Sequence, residues 1–274
     1  MDDRTQYLLT ARPLSLLAKL SAPNSIAFFI QASVSMTEVW FVGQLGSSSL
    51  AAMALVFPLL MLTQTLSAGA MGGAVASAIA RALGAGDRHR AEQLIWHALA
   101  LAVFGALLLF MLFWALGEPF LRFLGGNSGT LTEALRYCLV LFSGGVFLWF
   151  MGVVSAIYRG MGDMKFPALV MAASALVQVP LSAALVLGAF GAPQLGIVGA
   201  AVSAVLTALL LSGIMILRLI IGNTAIKIRQ SRFGFEQRHF REILKVALPA
   251  SLSPILTVTS ILCLTAIVGR FGEE

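Results

Sequence analysis

Apolar runs of about twenty residues recur along the chain, each long enough as an α-helix to cross a hydrocarbon core about 30 Å thick. Strands of a membrane barrel need only about ten alternating residues each, and no strand-like alternation is present. The chain has 59% hydrophobic and 11% charged residues, whereas about a quarter of the residues in a soluble domain are charged. The sequence therefore predicts an all-α, polytopic integral membrane protein.

Seven spans are predicted, and the positively charged residues decide their orientation. Lysine and arginine concentrate in cytoplasmic connections. With a cytoplasmic N-terminus, only Arg122, Arg136 and Arg270 of the 18 basic residues fall outside. We therefore expect a multi-pass protein of the cell membrane, embedded in the lipid bilayer with its N-terminus inside. The predicted spans are 14–42, 50–80, 93–116, 131–157, 167–188, 195–220 and 246–269.

The basic character of the chain needs no nucleic-acid partner. Its net charge of +6 and pI near 9.9 are explained by membrane topology and by contact with the anionic inner leaflet, so no nucleic acid is expected. The two cysteines lie in predicted spans without a CxxC companion, which favours packing over a disulfide or a zinc site. No GxxxxGK[ST] phosphate loop is present, so ATP hydrolysis is not the expected energy source.

An internal repeat relates the start of the chain to its end. A shift of 226 positions places LLAKLSAPNS on EILKVALPAS, with Lys19 on Lys245 and Pro23 on Pro249. In the same register FVGQLG falls on IVGRFG. Six predicted spans separate the two starts, so both copies enter the membrane from the same face. Transporters with parallel repeats of this kind place two bundles around an axis along the membrane normal.

The repeat divides the chain into three parts. We expect a six-helix transmembrane lobe at 1–222, a basic cytoplasmic interlobe linker at 223–245, and the first helix of a second lobe at 246–274. A second copy of equal length would extend past Glu274, which predicts a fragment of a twelve-helix protein, monomeric at full length. The alternative is a natural seven-helix protein that dimerises to complete the fold.

Four segments resemble the multidrug and toxic compound extrusion (MATE) transporters, and the resemblance extends over essentially the whole chain. It implies two six-helix lobes that export small organic cations by alternating access. It implies a transporter and not an enzyme, with no cofactor beyond a coupling ion, H⁺ or Na⁺. The segments are TEVWFVGQLGSSSLAA at 37–52, IARALGAGDRHRAE at 79–92, YRGMGDMKFP at 158–167 and VPLSAALVLGAFGAPQLGIVGAAVSA at 179–204.

The first predicted span carries a carboxylate, Glu38, on a polar helix face. Asn24, Gln31 and Ser35 lie within an arc of about 60° with it. Intramembrane carboxylates usually face a bundle interior or a watery cavity and serve ion or substrate pathways. We interpret these four residues as a substrate- and cation-binding face. The alternative is an interfacial glutamate, about one turn from the outer helix end. The resemblance supports the first interpretation, because Glu38 stands where MATE sequences carry a first-helix acid, usually aspartate.

The fifth predicted span offers a second polar stripe, Ser174, Gln178 and Ser182, at four-residue steps. Gln178 and Ser182 are candidate binding residues, and the alternative is hydrogen bonding across helices. MATE members commonly carry asparagine, or asparagine and aspartate, at these two positions. Without an acid at 182, coupling through a pair of carboxylates is in doubt. Thr257 is likewise neutral where sodium-type members would be expected to carry a glutamate.

Three other groups of residues are assigned structural roles. YRGMGDMKFP is interpreted as a hinge in which Asp163 pairs with Arg159 or Lys165. Gly69 and Gly73 belong to a small-xxx-small face that predicts close helix contact. The arginines of GDRHRAEQ oppose a cation, so a solvated loop is expected there and no metal site.

Two other classes of function are alternatives to a drug transporter. A lipid or lipid-linked oligosaccharide flippase of related architecture should show intramembrane arginines or lysines, and none is expected between the helix ends. An integral-membrane transferase or phosphatase would need clustered Asp, His or Arg at one membrane face. Only GDRHRAE comes near that pattern, so no catalytic residue is predicted.

Overall fold

The computed structural model describes residues 13–126, 128–221, 234 and 236–268 of the chain. Regular structure in these ranges is helical, without strands. Besides the α-helices it includes one π-helical turn and one short 3₁₀ turn. The π turn is Thr65–Met71 and the 3₁₀ turn is Ala189–Gly191. The α-helices are α1 (Pro13–Gly43), α2 (Ser47–Gln64), α3 (Gly72–Gly84), α4 (Arg88–Phe123), α5 (Ser128–Ser143), α6 (Gly145–Gly160), α7 (Lys165–Leu187), α8 (Ile197–Ile221) and α9 (Gln237–Val268).

These helices form the seven predicted spans. Six helices of the described ranges are long and apolar enough to cross a membrane, with α2, the π turn and α3 counted as one helix, Ser47–Gly84. The pair α5 and α6, which meet at a bend of 53°, is together long and apolar enough to count as the seventh. The all-helical, polytopic architecture and the order of the spans are therefore confirmed.

The last helix begins at Gln237, nine residues before the predicted span at 246. Its first turns are rich in charge, so the sequence indicated a linker there. However, His239, Ile243 and Ala247 are four residues apart and buried on one face. This face packs on α3 and α4 and continues the helix beyond the apolar segment. Residues 223–233 and 235 of the predicted linker lie outside the described residues, as do Gly269 and Gly272 in the IVGRFG copy of the repeat.

Two apolar cores hold the six-helix lobe together at opposite ends. The first core is formed by α3, α4, α6 and α8 with the start of α9, and Tyr158 and Ile79 are fully buried in it. The second is formed by the end of α1 with α2, α5, α7 and the start of α8, and contains Val42 and Cys138. Buried serines and threonines also occur on these helices. Cys138 is a free, buried thiol, as its predicted packing role requires.

The predicted contact through Gly69 and Gly73 is wrong. A Cβ atom added at either residue would meet nothing within 4 Å. The close approach is made instead by Gly72, whose added Cβ would lie 3.2 Å from Cβ of Ala156. The buried face of α3 therefore differs from the one that the spacing of small residues suggested.

The predicted pairing of Asp163 with Arg159 or Lys165 is also wrong. Oδ2 of Asp163 lies 3.8 Å from Arg218 on α8, and Oδ1 accepts a hydrogen bond of 3.2 Å from the backbone N–H of Phe166. Asp163 thus stabilises the start of α7 through the unpaired amide groups of its first turn. The cationic partner of Asp163 comes from a helix that is distant in sequence, and the spacing of residues does not predict such a contact.

Candidate functional site: a buried carboxylate between two spans

A hydrogen-bonded carboxylate lies between α1 and α7, which form the most extensive helix pair of the described fold. The side-chain amide of Gln178 donates from Nε2 to Oε1 of Glu38 over 2.8 Å. Glu38 is 9% exposed and Gln178 is 8% exposed. The carboxyl therefore lies inside the lobe. An interfacial glutamate would lie at the surface of the lobe instead.

The carboxylate has no cationic partner in the described part of the chain. No lysine, arginine or histidine nitrogen of those residues lies within 4 Å of Glu38. Tyr137 on α5 is 3% exposed and lies in the neighbourhood of Glu38. No motif or polar stripe in the sequence pointed to Tyr137.

The rest of the predicted α1 face is only partly directed into the lobe. Asn24 and Gln31 are half-buried, whereas Ser35 is exposed. Ala27 and Val34 are buried with Glu38 and mark the centre of the inward face. Ser35 lies about 60° from Glu38 around the helix, at the edge of that face. The structure thus brings Glu38 and Gln178 together but does not bring Ser35 to them.

The α7 stripe is buried along its whole length. Ser174, Gln178 and Ser182 are each less than a tenth exposed. The hydroxyl of Ser174 donates to the carbonyl of Met171 in its own helix, whereas Oγ of Ser182 has no hydrogen-bond partner among the described residues. The same holds for Oγ1 of Thr207 on α8, which the sequence analysis missed. A carboxylate, an amide and two unused hydroxyls thus lie on buried faces of neighbouring helices.

The carboxylate determines what this arrangement can do chemically. A single carboxylate can bind a proton or a cation, and an uncompensated negative charge in apolar surroundings favours such binding. A family model, MatE, matches residues 23–184, which include both Glu38 and Gln178. The chain belongs to the MATE family of transporters.

The MATE relatives and the solved structure described below match between 79% and 94% of this chain. A probable multidrug resistance protein NorM from Thermotoga maritima is 27% identical over 259 residues, 94% of this chain and 55% of the relative. An FAD transporter from Shewanella oneidensis is 30% identical over 224 residues, 79% of this chain and 48% of the relative. A MOP superfamily transporter from Pyrococcus furiosus superposes with a TM-score of 0.83 at 28% identity, over 91% of this chain and 54% of that one. The chain spans about half the length of the curated relatives it matches.

Two open cavities among the described residues of this MATE protein are separate from the carboxylate. One, of about 380 Å³, lies between the π turn and α9, and Thr65, Pro254 and Thr257 contribute to its wall. A second, of about 530 Å³, lies between α2 and the far end of α9. Neither is lined by residues of α1 or α7. Thr257 donates its hydroxyl to the carbonyl of Ser253, within its own helix, over 2.9 Å.

The guanidinium of one arginine in this MATE lobe lies further from the end of its helix than the amino-acid sequence predicts. Arg159 occupies the last turn of α6, and its side chain turns back along the helix. Nη1 donates to Oγ of Ser155 over 2.7 Å, and Nη2 lies 3.5 Å from the carbonyl of Ala68 in the π turn. No carboxylate of the described residues is within 4 Å of it. The guanidinium therefore reaches about one turn back from the end of α6, towards the π turn.

Proposed function

We propose that this chain forms the first lobe, and the first helix of the second lobe, of a secondary transporter. This transporter exports organic cations or drugs in antiport with a proton or sodium ion, through alternating access of two lobes. The observation that carries the proposal is the Glu38 carboxylate, buried between α1 and α7 and hydrogen-bonded to Gln178. The multidrug resistance names of several relatives support the class of substrate.

The parallel repeat supports the alternating-access part of the proposal. Two bundles related by an axis along the membrane normal can rock against each other around a central site. The cell membrane, a cytoplasmic N-terminus and a monomeric state at full length belong to the same proposal. The distribution of lysine and arginine supports this orientation.

We favour a proton over sodium as the ion bound at Glu38. A hard metal cation takes about six oxygen ligands, whereas Gln178 presents its amide nitrogen to the carboxylate. A proton needs only one free carboxylate oxygen, and Oε2 of Glu38 can supply it. The neutral residue Ser182 also leaves the site without a second acid on α7.

Transport of a cationic dye by a two-lobe protein that contains this chain tests the proposal. In inside-out vesicles with an imposed pH gradient, Glu38→Gln should lower the initial rate at least about tenfold, since an amide cannot carry the proton. Glu118→Gln is the control, because Glu118 is an exposed acid paired with Arg122 on its own helix. Equal rates for wild type and Glu38→Gln, at equal protein levels, would contradict the proposal.

An anionic substrate is the second candidate, and Arg159 is the observation that favours it. A guanidinium without a carboxylate partner can bind phosphate or carboxylate groups in two-point contact. The relative from Shewanella oneidensis is named as a transporter of FAD, which carries phosphates. If the substrate is anionic, vesicles should take up FAD, Arg159→Gln should reduce that uptake, and the cationic dye should not be transported. Dye transport without FAD uptake would exclude this candidate.

A further inference from the structure

We propose that one face of α9 binds an anionic phospholipid, with the phosphate on basic side chains and an acyl chain along the leucines that follow them. The basic side chains are Arg238, Arg241 and Lys245, which are exposed in the first turns of α9. No carboxylate of the described residues lies within 4 Å of their nitrogen atoms. A lipid phosphate would supply the negative charge that these three cations lack.

The same face of α9 becomes apolar one turn further along. Leu248, Leu252 and Leu256 are each at least 60% exposed. At 100° per residue, the three leucines and the three cations lie within an arc of about 80°. We call these six residues the lipid face. A phospholipid has the same order of groups, a charged headgroup followed by hydrocarbon, so one molecule can contact both parts of this face.

The length of the lipid face fits one leaflet of a bilayer. From Lys245 to Leu256 the helix rises about 16 Å, which is close to half of a hydrocarbon core about 30 Å thick. With the ammonium group of Lys245 among the headgroups, the leucines therefore lie along the acyl chains of a single leaflet.

The opposite side of α9 is covered by the first lobe. His239, Ile243 and Ala247 are buried, and the helix packs on α3 and α4. These three residues lie about 140° or more around the helix from Leu252. The lipid face is therefore turned away from the lobe that the structure describes.

The two acids at the start of α9 do not neutralise the three cations. Glu242 accepts a hydrogen bond of 2.7 Å from Arg90 and lies 3.6 Å from Arg81 of α3. The carboxylate of Glu236 lies 3.2 Å from Nε2 of His239. Both acids are thus engaged with groups other than those of the lipid face.

The repeat predicts that a second lobe leaves the lipid face open. Ala27 and Val34 lie on the side of α1 that is buried in its own lobe. The shift of 226 positions places Ser253 and Ser260 of α9 at these positions. Both serines lie about 80–100° around the helix from Leu252. A second lobe packed on them would lie beside the lipid face and not over it, a step that rests on the two-lobe architecture proposed above.

Native mass spectrometry of the purified chain in a neutral detergent measures the binding. The probes are phosphatidylglycerol, which is anionic, and phosphatidylcholine with the same acyl chains, which has no net charge. Each lysine or arginine near an anionic lipid contributes about 1 kcal/mol, a factor of about five in the dissociation constant. We expect wild type to bind phosphatidylglycerol at least about tenfold more tightly than phosphatidylcholine. The triple variant Arg238→Gln/Arg241→Gln/Lys245→Gln should lose this preference.

Two variants and a labelling experiment serve as controls. Arg136→Gln removes an exposed charge from α5 and should keep the preference, as should Lys245→Arg, which keeps the charge. Phosphatidylglycerol with a photoreactive acyl chain should label residues 246–256 of the wild type and of both controls, and much less of the triple variant.

Equal dissociation constants of the wild type for the two lipids overturn the proposal, whatever the variants do. A preference that persists in a folded triple variant, or labelling of the wild type that leaves out residues 246–256, also overturns it. Complete displacement of phosphatidylglycerol by inorganic phosphate would assign the cations to a free anion. Complete displacement by polyglutamate would assign them to an acidic protein segment, and either result contradicts a lipid.

Discussion

The side-chain amide of Gln178 on α7 lies 2.8 Å from the carboxylate of Glu38 on α1 and joins two spans 140 residues apart in sequence. The pair is buried, and a polar bond of this kind is expensive to break in apolar surroundings. It orients one carboxylate oxygen and leaves the other available. The bond therefore links the packing of the lobe to the chemistry proposed for it.

Removing the amide should weaken the lobe. Gln178→Leu leaves Glu38 buried without its donor, and we expect a loss of about 1–3 kcal/mol in the free energy of unfolding. Thermal unfolding of the purified chain in detergent measures this. Leu176→Ala on the exposed side of α7 is the control and should change stability by less than about 0.5 kcal/mol. Equal melting temperatures for Gln178→Leu and wild type would show that the bond contributes nothing.

The contact between α7 and α8 depends on a glycine. A Cβ atom at Gly199 would overlap the backbone carbonyl of Leu185, which cannot move as a flexible side chain could. Gly199→Ala should therefore cost at least about 1–3 kcal/mol of stability. Gly213→Ala is a control on the same helix, because its Cβ would meet nothing within 4 Å. Thermal unfolding in detergent measures both variants. Equal changes in the melting temperature of Gly199→Ala and Gly213→Ala would contradict this packing.

A buried hydroxyl in the core around α6 and α8 can be removed by a substitution that deletes a single oxygen atom. The hydroxyl of Tyr158, fully buried, donates to the backbone carbonyl of Met215 over 2.9 Å. Tyr158→Phe removes only this bond, and we expect a loss of about 1 kcal/mol. Phe123→Leu, at an exposed ring, should leave the melting temperature nearly unchanged. A Tyr158→Phe protein as stable as wild type would show that the bond is not stabilising.

The spans could be predicted from the sequence because hydrophobicity and length alone decide them. The burial of Glu38 could also be predicted, since a charged side chain in an apolar helix requires polar neighbours. Gln178 could be predicted as a member of a stripe of polar residues at four-residue steps. Their contact was not predictable from spacing, because it depends on how α1 packs against α7. Ser35 shows the limit of a helical wheel, since a side chain about 60° from the buried Glu38 is already at the surface.

Other features depended on tertiary contacts that no local pattern reports. The direction of the Arg159 side chain follows from the opposing π turn, and the sequence alone placed it in a loop. His97 carried no signal at all: a lone histidine in an amphipathic helix is ordinary. Its hydrogen bond with the backbone N–H of Glu236 depends on the way in which the start of α9 packs on α4.

Proton release on substrate binding shows directly whether Glu38 is the group that exchanges a proton for the substrate. A two-lobe protein containing this chain is mixed with a monovalent organic cation, such as tetraphenylphosphonium, in weakly buffered solution, and the pH change is recorded. We expect release of about one proton per cation bound by wild type, because linked binding is reciprocal, and none by Glu38→Gln. Equal proton release by both proteins at equal cation binding would contradict a role for Glu38 in coupling.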